Sequence, residues 1–108
     1  MRQAGVLAAA ALFALDHHVQ PLAEDHLHAK LLAQALTDSG WAVVPVAPET
    51  NIVFAGTRDR DATDVVARLA AQGIRCSAMA ADRIRLVTHR DVTRDRIDRA
   101  CKAIRTLF

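Results

Sequence analysis

The sequence predicts an α/β (α+β) fold, in which two N-terminal helices precede a small antiparallel or mixed sheet with helices on one face. Three observations predict it. Residues 1–39 show helical apolar spacing, residues 41–108 alternate short apolar runs with amphipathic helical stretches, and 108 residues suffice for one domain. We therefore predict a single domain over 1–108, with a helical segment (1–39) followed by a β-β-α-β-β-α unit (41–108).

Two helices are predicted in the first segment. The first runs from about Gln3 to His18 and is apolar on nearly every side, which is typical of a helix buried between layers. The second starts near Pro21, because proline is tolerated in a first turn, and runs to Asp38 before the helix stop at Gly40. Its core stripe has spacings of three, four and seven residues: Leu22, Ala29, Leu32, Ala33 and Leu36.

Two strands and a helix are predicted next. Residues 41–46 are typical of an edge strand, because Pro45 cannot donate to a central ladder. Residues 51–56 form a second strand with Ile52 and Phe54 on one face. The helix that follows, over 62–72, has Asp61 as its N-cap and Gly73 as its stop.

The last three elements are two strands and a helix. The strands are predicted over 74–78 and 83–88, and Thr93 is the predicted N-cap of the final helix. The core stripe of that helix is Ile97, Ala100, Cys101, Ile104 and Phe108.

The composition argues against several classes of partner. Twelve arginines alternate with aspartates, as in residues 58–61, and no aromatic residues lie among them, so a solvated face is favoured over nucleic-acid binding.

With 22 alanines and only four aromatic residues, the core is predicted to be thin, with surface left for another domain. The apolar run Ala4–Leu15 is too short to span a membrane, which takes about 20 residues.

Two cysteines, Cys76 and Cys101, lie in apolar contexts without C-x-x-C spacing. Two reduced thiols in or near a core are therefore favoured over a disulfide or a metal pair, and a cytoplasmic location fits this best. The N-terminal run also imitates a signal peptide, so a small secreted protein is a weaker alternative.

Arg85 is the strongest candidate for a binding residue. Side chains alternate along a strand, so Ile84 and Leu86 can pack on helices while Arg85 points out of the sheet. A guanidinium in this position can bind a carboxylate through two parallel hydrogen bonds. The alternative is an arginine in a surface ion pair, which contributes little to stability.

The chain resembles the low-specificity L-threonine aldolases, which are fold-type-I lyases that use pyridoxal 5'-phosphate (PLP). The resemblance is carried by Met-Arg-Gln-Ala-Gly at 1–5, Leu-Ala-Glu-Asp-His at 22–26, Glu-Thr-Asn-Ile-Val-Phe at 49–54 and Ile-Arg-Leu-Val-Thr-His at 84–89. It is strongest in 1–24 and 84–92 and weak in 57–82. It covers the C-terminal small domain of the family, and the segment with the glycine run and the PLP lysine has no counterpart here.

The resemblance implies specific roles and a specific reaction. The complete enzyme would cleave L-threonine and related β-hydroxy-α-amino acids to glycine and an aldehyde. The arginine at the position of Arg85 would hold the substrate's α-carboxylate, and Arg2 would approach the PLP phosphate. The resemblance also implies a missing large domain and a homo-oligomer. We expect this chain alone to be inactive and to bind no PLP covalently. The alternative is a free-standing α/β dimerising interaction or ligand-binding module without catalysis.

The other polar residues are weaker candidates for a functional site. Four histidines, His17, His18, His26 and His28, lack the i,i+4 pair of a helical zinc site, so we expect no metal and interpret them as a solvated helix face. The two lysines, Lys30 and Lys102, lie on amphipathic helices without a phosphate loop before them. His89 follows the arginine motif, and Thr50 with Asn51 fits a family pair or a turn equally well.

Overall fold

The computed structural model describes residues 2–108 as four helices and a three-stranded antiparallel sheet, which confirms the α+β prediction. The elements in chain order are α1 (Ala4–His17), α2 (Leu22–Asp38), β1 (Ile52–Gly56), α3 (Ala62–Ala71), β2 (Ser77–Ala80), β3 (Arg83–Val87) and α4 (Arg94–Arg105).

The sheet has the order β1-β3-β2, so β3 is its central strand and pairs with both neighbours in antiparallel fashion. One face packs into the core through side chains that are at most 3% exposed: Val53, Ala55, Ile84 and Leu86. The helices cover this face, because α2 contacts β1 and α4, and α3 contacts β2 and β3. The opposite face of the sheet is left uncovered by the described residues, since Ile52, Phe54 and Val87 remain exposed.

Two long-range hydrogen bonds tie the helices to the rest of the core. Thr88, directly after β3, donates its hydroxyl to the backbone carbonyl of Asp25 on α2 at 2.7 Å. Trp41 donates its indole N–H to the carbonyl of Ile104 on α4 at 2.8 Å. Both donors are buried, so each bond satisfies a polar group that would otherwise be costly to bury.

Several local signals in the sequence are confirmed. Asp61 has extended backbone at the start of α3, and its carboxylate accepts the backbone N–H of Thr63 at 2.8 Å. The hydroxyl of Thr63 also donates to this carboxylate, and the hydroxyl and the backbone N–H together lower the pKa of the Asp61 carboxyl, as expected for an N-cap carboxylate. Gly40 and Gly73, which follow α2 and α3, have φ values of +75° and +79°, which glycine adopts without steric cost.

The predicted edge strand over 41–46 is wrong. Only Val43 pairs with the sheet, through an isolated bridge in which it exchanges two backbone hydrogen bonds with Gly56, at 2.9 and 2.8 Å. Pro45, two residues on, has no N–H to continue the ladder. The segment instead contributes Trp41 and Ala42 to the core. The chain after α2 is therefore β-α-β-β-α rather than β-β-α-β-β-α.

The strand predicted over 74–78 begins later, at Ser77. Ile74 donates its backbone N–H to the carbonyl of Leu69 at 2.9 Å, so it completes the C-terminal cap of α3 instead of joining the sheet. The final helix also ends early, at Arg105. Phe108 lies beyond it, with its ring 5.5 Å from that of Trp41.

Helix α1 forms where predicted, but its predicted burial is wrong for this chain. None of its residues is buried, and its large apolar side chains are 56–71% exposed: Val6, Leu7, Leu12, Phe13 and Leu15. The apolar side chains on all sides of α1 are therefore not buried against any other apolar surface among the described residues. Among these residues no single helix is long and apolar enough to cross a membrane, although α1 and α2 together pass that test as a pair bent by 74°.

The two thiols lie where the sequence predicts, in and beside the core. Cys101 is buried on α4, and Cys76 is half-buried before β2. Burial raises the pKa of both thiols, which keeps them protonated and poorly nucleophilic at neutral pH.

Candidate functional site

Arg85 lies at the middle of the central strand, on the uncovered face of the sheet. Its neighbours in the chain, Ile84 and Leu86, are 0% and 3% exposed on the opposite face, as the alternation of a strand requires. Across the ladder it is opposite Phe54 on β1 and Ser77 on β2. The sheet therefore holds this guanidinium between two paired strands, which restricts its movement more than a loop would.

The guanidinium of Arg85 has hydrogen-bonding capacity that the described residues leave unused. Its Nε is buried and has no hydrogen-bond partner, and Arg85 belongs to none of the ion pairs found among residues 2–108. The alternative of a surface ion pair therefore has no support in the geometry. A buried donor without a partner costs about 1–3 kcal/mol, and a carboxylate binding side-on would satisfy it.

The surroundings of Arg85 are largely apolar. Ile52, Phe54 and Val87 share its face of the sheet and are 37–44% exposed. Beside them, a groove of about 660 Å³ lies between β1 and the loop formed by residues 45–50, with Arg83 and Glu49 among its lining residues. An anion bound by Arg85 would thus lie against apolar side chains, which strengthens a charge-assisted hydrogen bond by reducing competition from water.

Arg2 and the two lysines do not lie in partly buried, apolar surroundings like those of Arg85. Arg2 is exposed in the turn that precedes α1 and makes no side-chain hydrogen bond with another described residue. Lys30 and Lys102 are exposed on α2 and α4. A lysine that binds PLP covalently needs a desolvated pocket, so neither lysine fits that role in this chain.

The histidine prediction is wrong at one position. His28 is 2% exposed, because it lies on the buried face of α2 together with Asp25, Ala29 and Leu32, which are spaced three and four residues from it or next to it. His17 stacks on Phe13 and remains exposed. Within residues 2–108 no cluster of histidine, cysteine or acidic side chains could hold a metal ion.

His28 lines a second recess, which the sequence analysis missed. We name it the α2–α4 cleft: it has a volume of about 540 Å³ and lies where the N-terminal ends of these two helices meet. Asp25, Asn51, His89 and Arg90 also line it. The spacing of Asp25 and His28 on the core stripe of α2 was the signal that could have revealed two buried polar side chains here.

Asn51 and His89 have local contacts that bear on their predicted roles. Asn51 donates its side-chain amide to the carbonyl of Thr88 at 2.7 Å, and Thr88 donates its backbone N–H to the carbonyl of Asn51 at 2.9 Å. This pairing extends the β1–β3 ladder and supports the turn interpretation of Thr50 and Asn51. His89 follows the end of β3, with its Nδ1 3.8 Å from Asp91.

Comparisons with known proteins identify a family and several relatives of this chain. The sequence profile of the beta-eliminating lyases matches residues 1–60. The chain is 35% identical over 97 residues to the low specificity L-threonine aldolase of Escherichia coli (strain K12), covering 90% of this chain and 28% of that protein. It is 40% identical over 97 residues to low-specificity L-threonine aldolase 1 of Arabidopsis thaliana, covering 86% of this chain and 27% of the relative.

A structural class and a family follow from these findings. The fold and the candidate site define a small α+β domain in which Arg85, with an unpaired Nε, lies on an uncovered sheet face. The chain belongs to the beta-eliminating lyase family, because the family profile matches more than half of it. It spans about 28% of the length of the E. coli relative that it matches.

The geometry predicts that Arg85 and its neighbour Leu86 differ in their contribution to stability. Arg85→Ala removes a guanidinium whose Nε is unpaired, so no protein hydrogen bond is lost and the free energy of unfolding should not fall by more than about 0.5 kcal/mol. Leu86→Ala removes a side chain that is 3% exposed and should cost about 2–5 kcal/mol. Thermal and urea melts of both variants measure this difference. Equal destabilisation by the two substitutions would show that Arg85 is structural.

Proposed function

We propose that this chain forms the small domain of a PLP-dependent lyase that cleaves L-threonine and related β-hydroxy-α-amino acids to glycine and an aldehyde. The observation that carries the proposal is Arg85, a guanidinium with an unpaired Nε on the uncovered sheet face. The threonine aldolases that the chain resembles at 35–40% identity support the reaction class.

In this proposal Arg85 binds the α-carboxylate of the amino acid. Two parallel hydrogen bonds fix both the position and the plane of a carboxylate, so the rotation of the substrate about its Cα is restricted. That restriction matters because the bond to be broken must be held in one orientation, and misorientation costs rate as well as affinity. The rigid sheet under Arg85 provides this positioning.

PLP, in the complete enzyme, would supply the electron sink for cleavage of the Cα–Cβ bond. The described residues do not fit its covalent site, because Lys30 and Lys102 are exposed. Arg2, in the turn before α1, is proposed to face the phosphate of the cofactor, where a fixed cation offsets the phosphate charge. The cofactor lysine and the rest of the phosphate site would come from a large domain.

We further propose a cytoplasmic location, supported by the buried Cys101 and the half-buried Cys76, because free thiols are typical of reducing compartments. The other candidate function, an interaction module without catalysis, has less support. As a free-standing dimerising or ligand-binding module it would also use the exposed helix α1 and could use Arg85, but the 35–40% identity to threonine aldolases favours the first proposal.

The proposed function predicts that catalysis depends on added large-domain residues. This chain, mixed with PLP and L-threonine, should give no absorbance band of lysine-bound PLP, no borohydride-stable adduct and no aldehyde. Mixing it with the part of the E. coli aldolase that it does not match should restore aldehyde release, and the Arg85→Ala chain should restore much less. Turnover by the chain alone, or no restoration by the mixture, would contradict the proposal.

The exposed apolar surface of α1 predicts self-association. Its large apolar side chains are 56–71% exposed along the helix, which forms a larger apolar patch than a soluble monomer usually exposes. Sedimentation velocity should show dimers or larger species at micromolar concentration, and Leu7→Glu with Leu15→Glu should shift the chain toward the monomer. A concentration-independent monomer for the unaltered chain would contradict this prediction.

A further inference from the structure

The α2–α4 cleft is lined by two polar side chains, His28 and Asp25, whose hydrogen-bonding capacity is not fully used by the described residues. His28 is 2% exposed, and its Nδ1 has no hydrogen-bond partner among the described residues. Its Nε2 is 3.6 Å from Oε1 of Glu24, which is too long for a hydrogen bond. Asp25 is 6% exposed; Thr88 bonds its backbone carbonyl, but no described residue bonds its carboxylate. Groups in this condition need a further hydrogen-bonding partner, which water or a bound ligand can supply.

The opposite wall of the cleft is cationic. Arg90 and Arg94 line it, next to the first turn of α4. Nη1 of Arg90 lies 2.7 Å from Nε2 of His18, which leaves the Nη2 and Nε of Arg90 for a ligand. The N-cap of this 12-residue helix, Thr93, makes no side-chain cap hydrogen bond. Its first N–H groups are therefore open to an acceptor, and the helix dipole favours negative charge there. Arg94 uses its Nε on Asp98 at 2.9 Å, which leaves its terminal nitrogens available.

We propose that the α2–α4 cleft binds a free α-amino acid, with the ammonium group at Asp25 and the carboxylate at Arg90 and the N-terminus of α4. This would be a second amino-acid site, because Arg85 is not among the residues that line the cleft. It is independent of the role proposed for Arg85.

The charges of the cleft favour a zwitterion over simpler ligands. A lone anion would meet the carboxylates of Asp25 and Glu24, and a lone cation would meet the guanidinium groups of Arg90 and Arg94. A zwitterion satisfies both walls at once and leaves the summed charge of the cleft unchanged. Its volume of about 540 Å³ lies within the range of small-molecule pockets, about 300–1,000 Å³.

The test is an NMR titration of the unaltered chain that follows the imidazole signals of His28 and His89. Glycine and L-threonine are the probes, and acetate, ethylamine and glycine methyl ester are the matched controls that each lack one charge. We expect saturable shifts with the two amino acids and not with the three controls. Asp25→Asn, which preserves shape, should weaken glycine binding about tenfold or more. Asp64→Asn, an exposed acid on α3, should not weaken it.

The other outcomes overturn the proposal in distinguishable ways. Equal shifts with acetate would show an anion site only, and the absence of saturable shifts would show no site. Shifts that disappear in Arg85→Ala would place the binding at the proposed carboxylate site instead, which would support the proposed function and contradict this inference. If Asp25→Asn fails to fold by circular dichroism, the comparison of amino acids with the three controls decides the question.

Discussion

The alternation of side chains along β3 is the constraint on which both the core and the candidate site depend. Ile84 and Leu86 face the helices at 0% and 3% exposure, and the same backbone geometry sends Arg85 to the other face. Because β3 pairs on both sides, a one-residue slip in register would bury the arginine and expose the core. The core and the candidate site are therefore positioned by the same strand, although different side chains form them.

Two surfaces of the domain, helix α1 and the sheet face with Arg85, remain uncovered by the described residues. Helix α1 has no buried residue, and the sheet face with Arg85 remains open beside Phe54 and Ile52. A free-standing domain of 108 residues would ordinarily bury such apolar groups. Their exposure agrees with the proposal that further protein covers α1 and the sheet face with Arg85.

Much of the fold could be predicted from local signals. The caps at Asp61, Gly40 and Gly73 act through backbone geometry within a few residues, and all three are present in the structure. The outward position of Arg85 followed from period-two alternation. The failures came from tertiary effects. Residues 41–46 have strand composition but only one bridge to the sheet.

The burial of polar side chains was hardest to predict. The four N-terminal histidines lack the i,i+4 spacing of a metal pair, which predicts a solvated face, yet His28 shares the helical face of Leu32 and Leu36. A sequence shows which residues share a face of a helix, but the depth of that face depends on α4 packing against it. The α2–α4 cleft, made of segments far apart in the chain, was for the same reason not visible in the sequence.

The most direct test of the account is the kinetics of a complete aldolase whose matching region is replaced by this chain. Arg85→Ala should raise KM for L-threonine and lower kcat, so that kcat/KM falls roughly 10- to 100-fold, as expected for loss of a charge-assisted hydrogen bond of about 1.5–3 kcal/mol. Arg99→Ala, an exposed arginine on α4, is the matched control and should have little effect. Unchanged kcat/KM in Arg85→Ala would contradict the central claim that Arg85 binds the substrate carboxylate.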